Sequence, residues 1–301
     1  MSGKYTVIFS DPRALKFFLK TIGKAFLDKY QAVKVAVLRA IGVIDFPVPP
    51  NSRMRGTSSN TIRHYYESGL TTTLPIVTAA YIEGLDLRTS AEVLDFGCGV
   101  GRQLLHFERN FPGLALHACD VNDRSIEFVR SAYPRVESYT SAFSPPLKYP
   151  DRKFDLIYSV SIFSHLNIRD HALWLHELGR ITRPAGLCCL TILGAHARAL
   201  RSKPSSGQVP GQVPSEVTTL QEQGYMYESN FGGKPKPEYM KAVEQIWSVG
   251  SNLIGIDEDY GRTYYSEKYV REHWNNETFE VRQYIPGIID TLQDLVVLKK
   301  R

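Results

Sequence analysis

No apolar run in this 301-residue chain reaches the length of a membrane span. No secretory signal pattern opens it, so the expected location is the cytoplasm. Cysteine is scarce, with four residues at 98, 119, 188 and 189 and no C-x-x-C pair. Three of the four lie in apolar, strand-like runs. That reads as buried thiols in a reducing compartment and gives a zinc site no support. No carboxylate cluster with metal-ligand spacing stands out, so no metal is expected. An excess of either charge sign is missing from most of the chain. The net charge is +5, yet residues 1–41 alone hold eight Lys and Arg against Asp11 and Asp28, a net of +6. Basic character confined to one segment argues against a nucleic-acid channel through the protein.

What is present is ordinary globular composition, 43% hydrophobic and 22% charged, in a chain long enough for one large domain with elaborations. The organising stretch is AEVLDFGCGVGR, from Ala91 to Arg102. Val93 and Leu94 read as the end of a buried strand. Asp95 stands where it stops, Gly97, Gly99 and Gly101 follow, and Gln103–Phe107 begins a helical pattern. Glycines permit a tight turn and close approach of backbone to a ligand, and a helix start presents free N–H groups. A dinucleotide fingerprint wants G-x-G-x-x-G, and here Arg102 stands at its last glycine. The pattern is instead D-x-G-x-G-x-G.

Strand and helix signals alternate through the middle of the chain. Leu114–Cys119 reads as a strand ending at Asp120, 23 residues after Gly97. An acid at the end of the second strand is where a ribose hydroxyl pair is held in such folds. It also reads as a cap for the helix that follows. Val136–Tyr139, Phe154–Val160 and Leu187–Leu193 read as further strands, with a helix over His171–Ile181 between the last two. This alternation specifies a parallel sheet covered on both faces.

The flanks differ. From Leu15 to Ile41, Leu15, Leu19, Ile22, Phe26, Tyr30, Val33, Val37 and Ile41 recur at three- and four-residue steps beside a lysine-rich face. The plain expectation is helix packing on the core. The alternative is a peripheral contact of residues 13–41 with an anionic membrane surface. After FPVPP at 46–50, a polar segment reads either as a lid or as a simple connection, and a helix resumes over Leu74–Ile82. Residues 202–237, rich in Gly, Pro, Ser and Gln with GQVP repeated at 207–214, read as a loop, and Glu238–Ile254 reads as a helix. Phe279–Tyr284 and Leu295–Leu298 read as the last two strands.

VLDFGCGVGR, ACD, FDLIYSVSIFSHL and WLHELGRITRPAGLCCLTILG resemble, in order and spacing, a class I S-adenosylmethionine-dependent methyltransferase, over residues 91 to 194. RPAG resembles that family's RPGG turn with Ala185 replacing a glycine. The segment from Tyr260 to Val270 resembles a bacterial subgroup associated with glycan or natural-product assembly. The resemblance implies a Rossmann-like, doubly wound, seven-stranded α/β sheet, mostly parallel with the last strand antiparallel. It implies an N-terminal helical or lid segment over 1–90, a core over 91–194 and 277–301, and an insertion over 195–276 capping the acceptor. S-adenosylmethionine is then the implied cofactor, held by Asp95, Gly97, Cys98, Gly99, Asp120, Val121, Ala142, Phe143 and Ser159. Many relatives carry an Asp near position 142 for the adenine amino group. This chain has none, which leaves the backbone of Ala142 and Phe143.

Methyl transfer is a direct displacement, so the protein must align and desolvate the acceptor, with a base where the acceptor is an oxygen. His165 is the candidate base because it follows the fourth strand at the carboxyl edge. A histidine packing at a helix start is the competing reading. No Asn/Asp-Pro-Pro-Tyr/Phe motif follows that strand, which tilts the expectation toward O-methylation of a small molecule or glycan intermediate. The insertion's tyrosines at 225, 227, 260, 264 and 265 suit stacking on sugars or rings. An NAD-type oxidoreductase and a non-catalytic S-adenosylmethionine-binding protein on the same fold stay open as alternatives.

Overall fold

Five parallel strands carry the centre of the molecule: β1 (Glu92–Phe96), β2 (Ala115–Asp120), β3 (Glu137–Thr140), β4 (Phe154–Ser159) and β5 (Thr182–Leu193). The computed structural model describes residues 27–54, 61–201, 220, 222–229 and 261–301. The expected helix over 238–254, the GQVP repeat, Tyr260 and residues 13–26 lie outside them.

Among the described residues the sheet holds nine strands. Seven form the expected frame in the order β3-β2-β1-β4-β5-β9-β8, with β8 at Phe279–Ile289 and β9 at Gln293–Lys300. β9 runs antiparallel to both β5 and β8, so the last strand is the reversed one. The insertion supplies two more strands, β6 (Tyr225–Ser229) and β7 (Gly261–Tyr265), as an antiparallel pair joined to β5 at Leu193–Tyr264.

Strands buried on both faces read as continuous apolar runs whose residues alternate between two cores. Val93, Leu156, Tyr158, Leu187, Cys189, Leu295 and Val297 face one cluster. Leu94, Phe96, Ile157, Cys188, Leu190, Val296 and Leu298 face the other. The first cluster is closed by α3 (Ile62–Ile82), α4 (Leu104–Asn110) and α5 (Asp123–Ala132). The second is closed by α6 (Ile168–Ile181) and α8 (Glu267–His273). The short helices α2 (Asn51–Met54) and α7 (Ala195–Arg201) complete the set. All four cysteines are buried and unpaired.

Two expectations are corrected at the N-terminal side. Helix α1, over 27–40, does not turn its apolar stripe inward. Tyr30, Val33, Val37 and Ile41 are exposed, while Gln31 and Val35 are buried. Gln31 can be buried because its Nε2 donates to the Pro49 carbonyl at 2.7 Å. Helix α3 starts at Ile62, twelve residues before the expected Leu74, capped by Thr61 Oγ1 accepting from the His64 N–H at 3.0 Å, and runs through Pro75. It docks on the glycine turn. Tyr65 Oη donates to the Val100 carbonyl at 3.0 Å, and Arg102 Nη1 donates to Ser68 Oγ at 3.1 Å.

Candidate active site

The order reverses between β1 and β4, and the carboxyl edge at such a switch point is where ligands bind in open α/β sheets. A cavity of about 350 Å³ lies there, bounded by the loops after β1, β2, β3 and β4 and by α6. The turn after β1 is built by glycine. Gly97 has φ +80°, and a Cβ on it would stand 2.3 Å from Ile162 Cγ1. The N–H groups of Gly97 and Cys98 both donate to the Cys119 carbonyl, at 2.9 and 3.1 Å, which locks the turn to the end of β2.

Asp120 closes that end of the cavity. Its Oδ2 accepts the Gly99 N–H and its Oδ1 accepts the Asn122 N–H, each at 2.8 Å. Burial raises its carboxyl above the ordinary range, against the pull of these two bonds. Each oxygen keeps a second lone pair, the acceptor chemistry a ribose diol requires. Val121 and Phe143 line the same end with exposed apolar side chains. An acid, two apolar side chains and a glycine cradle fit a nucleoside with a flexible tail such as S-adenosylmethionine.

Of the residues expected at the site, Gly97, Asp120, Val121, Ala142, Phe143 and His165 meet on the cavity wall. Asp95, Cys98, Gly99 and Ser159 do not. Asp95 is buried inside β1 beside the Tyr158 hydroxyl, and burial pushes its carboxyl up to about 8. The Cys98 side chain turns into the first core, Ser159 is fully buried, and the Gly99 N–H is taken by Asp120. These four lie under the site and shape its turn.

His165 Nδ1 lies 2.8 Å from the Gly261 carbonyl. A carbonyl only accepts, so Nδ1 carries the proton and Nε2 of the neutral ring is an acceptor. Burial lowers its pKa below the ordinary histidine value. The wall also contains Leu166, Asp170 and Trp174, which sequence reasoning missed. Asp170 and Trp174, four residues apart, share one face of α6, and that spacing was the available signal, while Leu166 sits in the loop before the helix. Ser161 and Ile162, also on the wall, sit in the SIFSHL run after β4.

The expected tyrosine platform is corrected at Tyr264 and Tyr265, while Tyr260 lies outside the described residues. Tyr264 and Tyr265 are fully buried, and among the described residues no tyrosine lines the cavity. Tyr265 packs against His171 with ring centroids 4.5 Å apart, so these aromatics fasten the insertion to the core. No group of three metal-ligating side chains occurs among the described residues.

A family model described as a methyltransferase domain matches residues 93–186. The methyltransferase GfsG of Streptomyces halstedii is 30% identical over 116 residues, covering 36% of this chain and 40% of that protein. A probable S-adenosylmethionine-dependent methyltransferase of Mycobacterium tuberculosis is 31% identical over 107 residues, covering 33% of this chain and 34% of that protein. The chain thus matches well under half the length of these curated relatives. The crystal structure of an S-adenosylmethionine-dependent methyltransferase from Mesorhizobium loti shares the fold, with a TM-score of 0.50 at 12% identity over 74% of this chain and 96% of that one.

Proposed function

We propose, from a chain that belongs to the class I S-adenosylmethionine-dependent methyltransferases, that it methylates an oxygen of a small molecule or glycan intermediate. The observation that carries this reading is the cavity in which Asp120, Val121, Phe143 and the Gly97 turn face the same space as His165. S-adenosylmethionine, when bound, supplies the methyl electrophile. Asp120 and the turn hold it, and Val121 and Phe143 cover its base. The backbone of Ala142 and Phe143 serves the adenine edge. His165, neutral at pH 7, accepts the acceptor's proton at Nε2 as the oxygen is methylated. Its Nδ1–H bond to Gly261 fixes the ring orientation and couples that histidine to β7 of the insertion.

The test is production of S-adenosylhomocysteine from S-adenosylmethionine across a panel of hydroxylated acceptors. His165→Gln is expected to lower kcat by about 10²–10⁴, the contribution of a positioned base, with S-adenosylmethionine affinity unchanged. Binding of the cofactor with no turnover on any acceptor supports a non-catalytic protein instead.

Among the described residues, no helix is long and apolar enough to cross a membrane. The exposed stripe of Tyr30, Val33, Val37 and Ile41 beside exposed Lys29 and Lys34 supports a peripheral contact of α1 with an anionic bilayer. Each basic residue contributes about 1 kcal/mol near such a surface. Co-sedimentation with anionic vesicles at low salt, lost at high salt, is the expected result. No co-sedimentation at low salt overturns it.

A further inference from the structure

Ser161 is one of the few non-glycine residues with a left-handed backbone, at φ +62°, and it stands on the cavity wall two positions past the end of β4. A serine in this region is strained, and surrounding structure must hold it there. A ring of three side-chain bonds through Thr191 on β5 and Gln293 on β9 does so. The Ser161 N–H donates to Thr191 Oγ1 on β5 at 2.8 Å. Thr191 Oγ1 donates to Gln293 Oε1 at 2.8 Å. Gln293 Nε2, at the first position of β9, donates to Ser161 Oγ at 2.6 Å. Thr191 is fully buried, and the ring of bonds is closed.

The ring dictates the direction of one proton. Thr191 Oγ1 has accepted from Ser161 and spent its hydrogen on Gln293. Gln293 must therefore present its NH₂ to Ser161. Ser161 Oγ accepts that bond, so its own O–H remains to donate, and no acceptor for it occurs among the described residues. The strand order is β2-β1-β4, so Ser161 and Asp120 flank the Gly97 turn from opposite sides. With the ribose on Asp120, as proposed above, an amino-acid tail ending in a carboxylate would extend toward the Ser161 side of the turn.

We infer that Gln293 is a positioning residue for cofactor binding: through Thr191 and Ser161 it aims the Ser161 O–H at the amino-acid portion of S-adenosylmethionine. The inference rests on the methyltransferase reading. Gln293 belongs to the last strand, far in sequence from every glycine-turn residue, and it acts only through Ser161.

The experiment compares two probes by calorimetry on the full chain: S-adenosylhomocysteine, which has the amino-acid tail, and 5′-methylthioadenosine, which lacks it. Gln293→Leu and Ser161→Ala are each expected to weaken S-adenosylhomocysteine about tenfold, the scale of a lost hydrogen bond to a charged group, and to leave 5′-methylthioadenosine within about twofold. The double variant is expected to be no weaker than Ser161→Ala, because Gln293 works through that hydroxyl. Should Gln293→Leu not fold, Gln293→Glu carries the test. Its carboxylate takes the Ser161 proton for itself, so the same selective loss is expected. Retained S-adenosylhomocysteine affinity, equal weakening of both probes, or additive losses overturn the inference. Wild-type protein that binds neither probe contradicts the methyltransferase reading itself, a separate result.

Discussion

Asp120 accepts the Gly99 N–H at 2.8 Å, so the acid that ends β2 is tied to the glycine turn that ends β1. One side chain thereby fixes the turn and offers its remaining lone pairs to the cavity. Asp120→Asn keeps the shape but removes the charge and one acceptor oxygen. Its affinity for S-adenosylmethionine should fall by about 1.5–3 kcal/mol, the scale of a hydrogen bond to a charged group. Calorimetry on the folded variant measures it, and an unchanged affinity removes Asp120 from the site.

Ala185 stands where the resembling turn has glycine, and its φ is +62°. A left-handed backbone costs an L-residue roughly 1–2 kcal/mol, and glycine avoids that cost while losing part of the gain to chain entropy. Ala185→Gly should therefore stabilise the protein by about 0.5–1 kcal/mol. A denaturant midpoint that does not rise argues against strain at this turn.

Gly69 lets α3 lie on the glycine turn. A Cβ there would sit 2.6 Å from the Arg102 carbonyl oxygen, a backbone atom that cannot swing aside. Gly69→Ala should cost about 1–3 kcal/mol by overpacking. Chemical denaturation checks the cost, and a variant as stable as wild type means α3 is loosely seated.

The parallel frame was legible because its strands are buried on both faces. VLDF, FDLIYS and LCCLTIL appear in sequence as apolar runs punctuated by glycine and by acids at the carboxyl edge. Gly97 and Asp120 were legible for the same reason, since turn chemistry is local. The wall formed by Asp170 and Trp174 was not, because a polar and an aromatic residue four apart look like any amphipathic helix until the crossover seats them. Tyr264 and Tyr265 were misread because composition cannot tell a stacking platform from a buried fastening. The α1 stripe was misassigned because apolar spacing suggests which face is inward, and here a backbone carbonyl at Pro49 made the Gln31 face the inner one instead.

His171 is fully buried, with Nε2 2.9 Å from the Phe163 carbonyl, and burial lowers its pKa from 6.5 to about 3. The unfolded chain therefore takes up a proton below pH 6.5 that the folded protein refuses. Stability is whole above that pH and falls as the pH drops toward 3, by at most about 1.4 kcal/mol per unit from this group. His171→Gln, which keeps a donor for Phe163, should flatten that acid limb. Urea midpoints between about pH 4 and about pH 7 that stay parallel in the two proteins contradict this.

We propose that the cavity at the β1–β4 edge holds S-adenosylmethionine. Isothermal titration of the full chain with S-adenosylmethionine and, in parallel, with NAD tests it most directly. One saturable site for S-adenosylmethionine, weakened by Asp120→Asn, and no binding of NAD is the expected result. Saturable NAD binding with no heat from S-adenosylmethionine would contradict it.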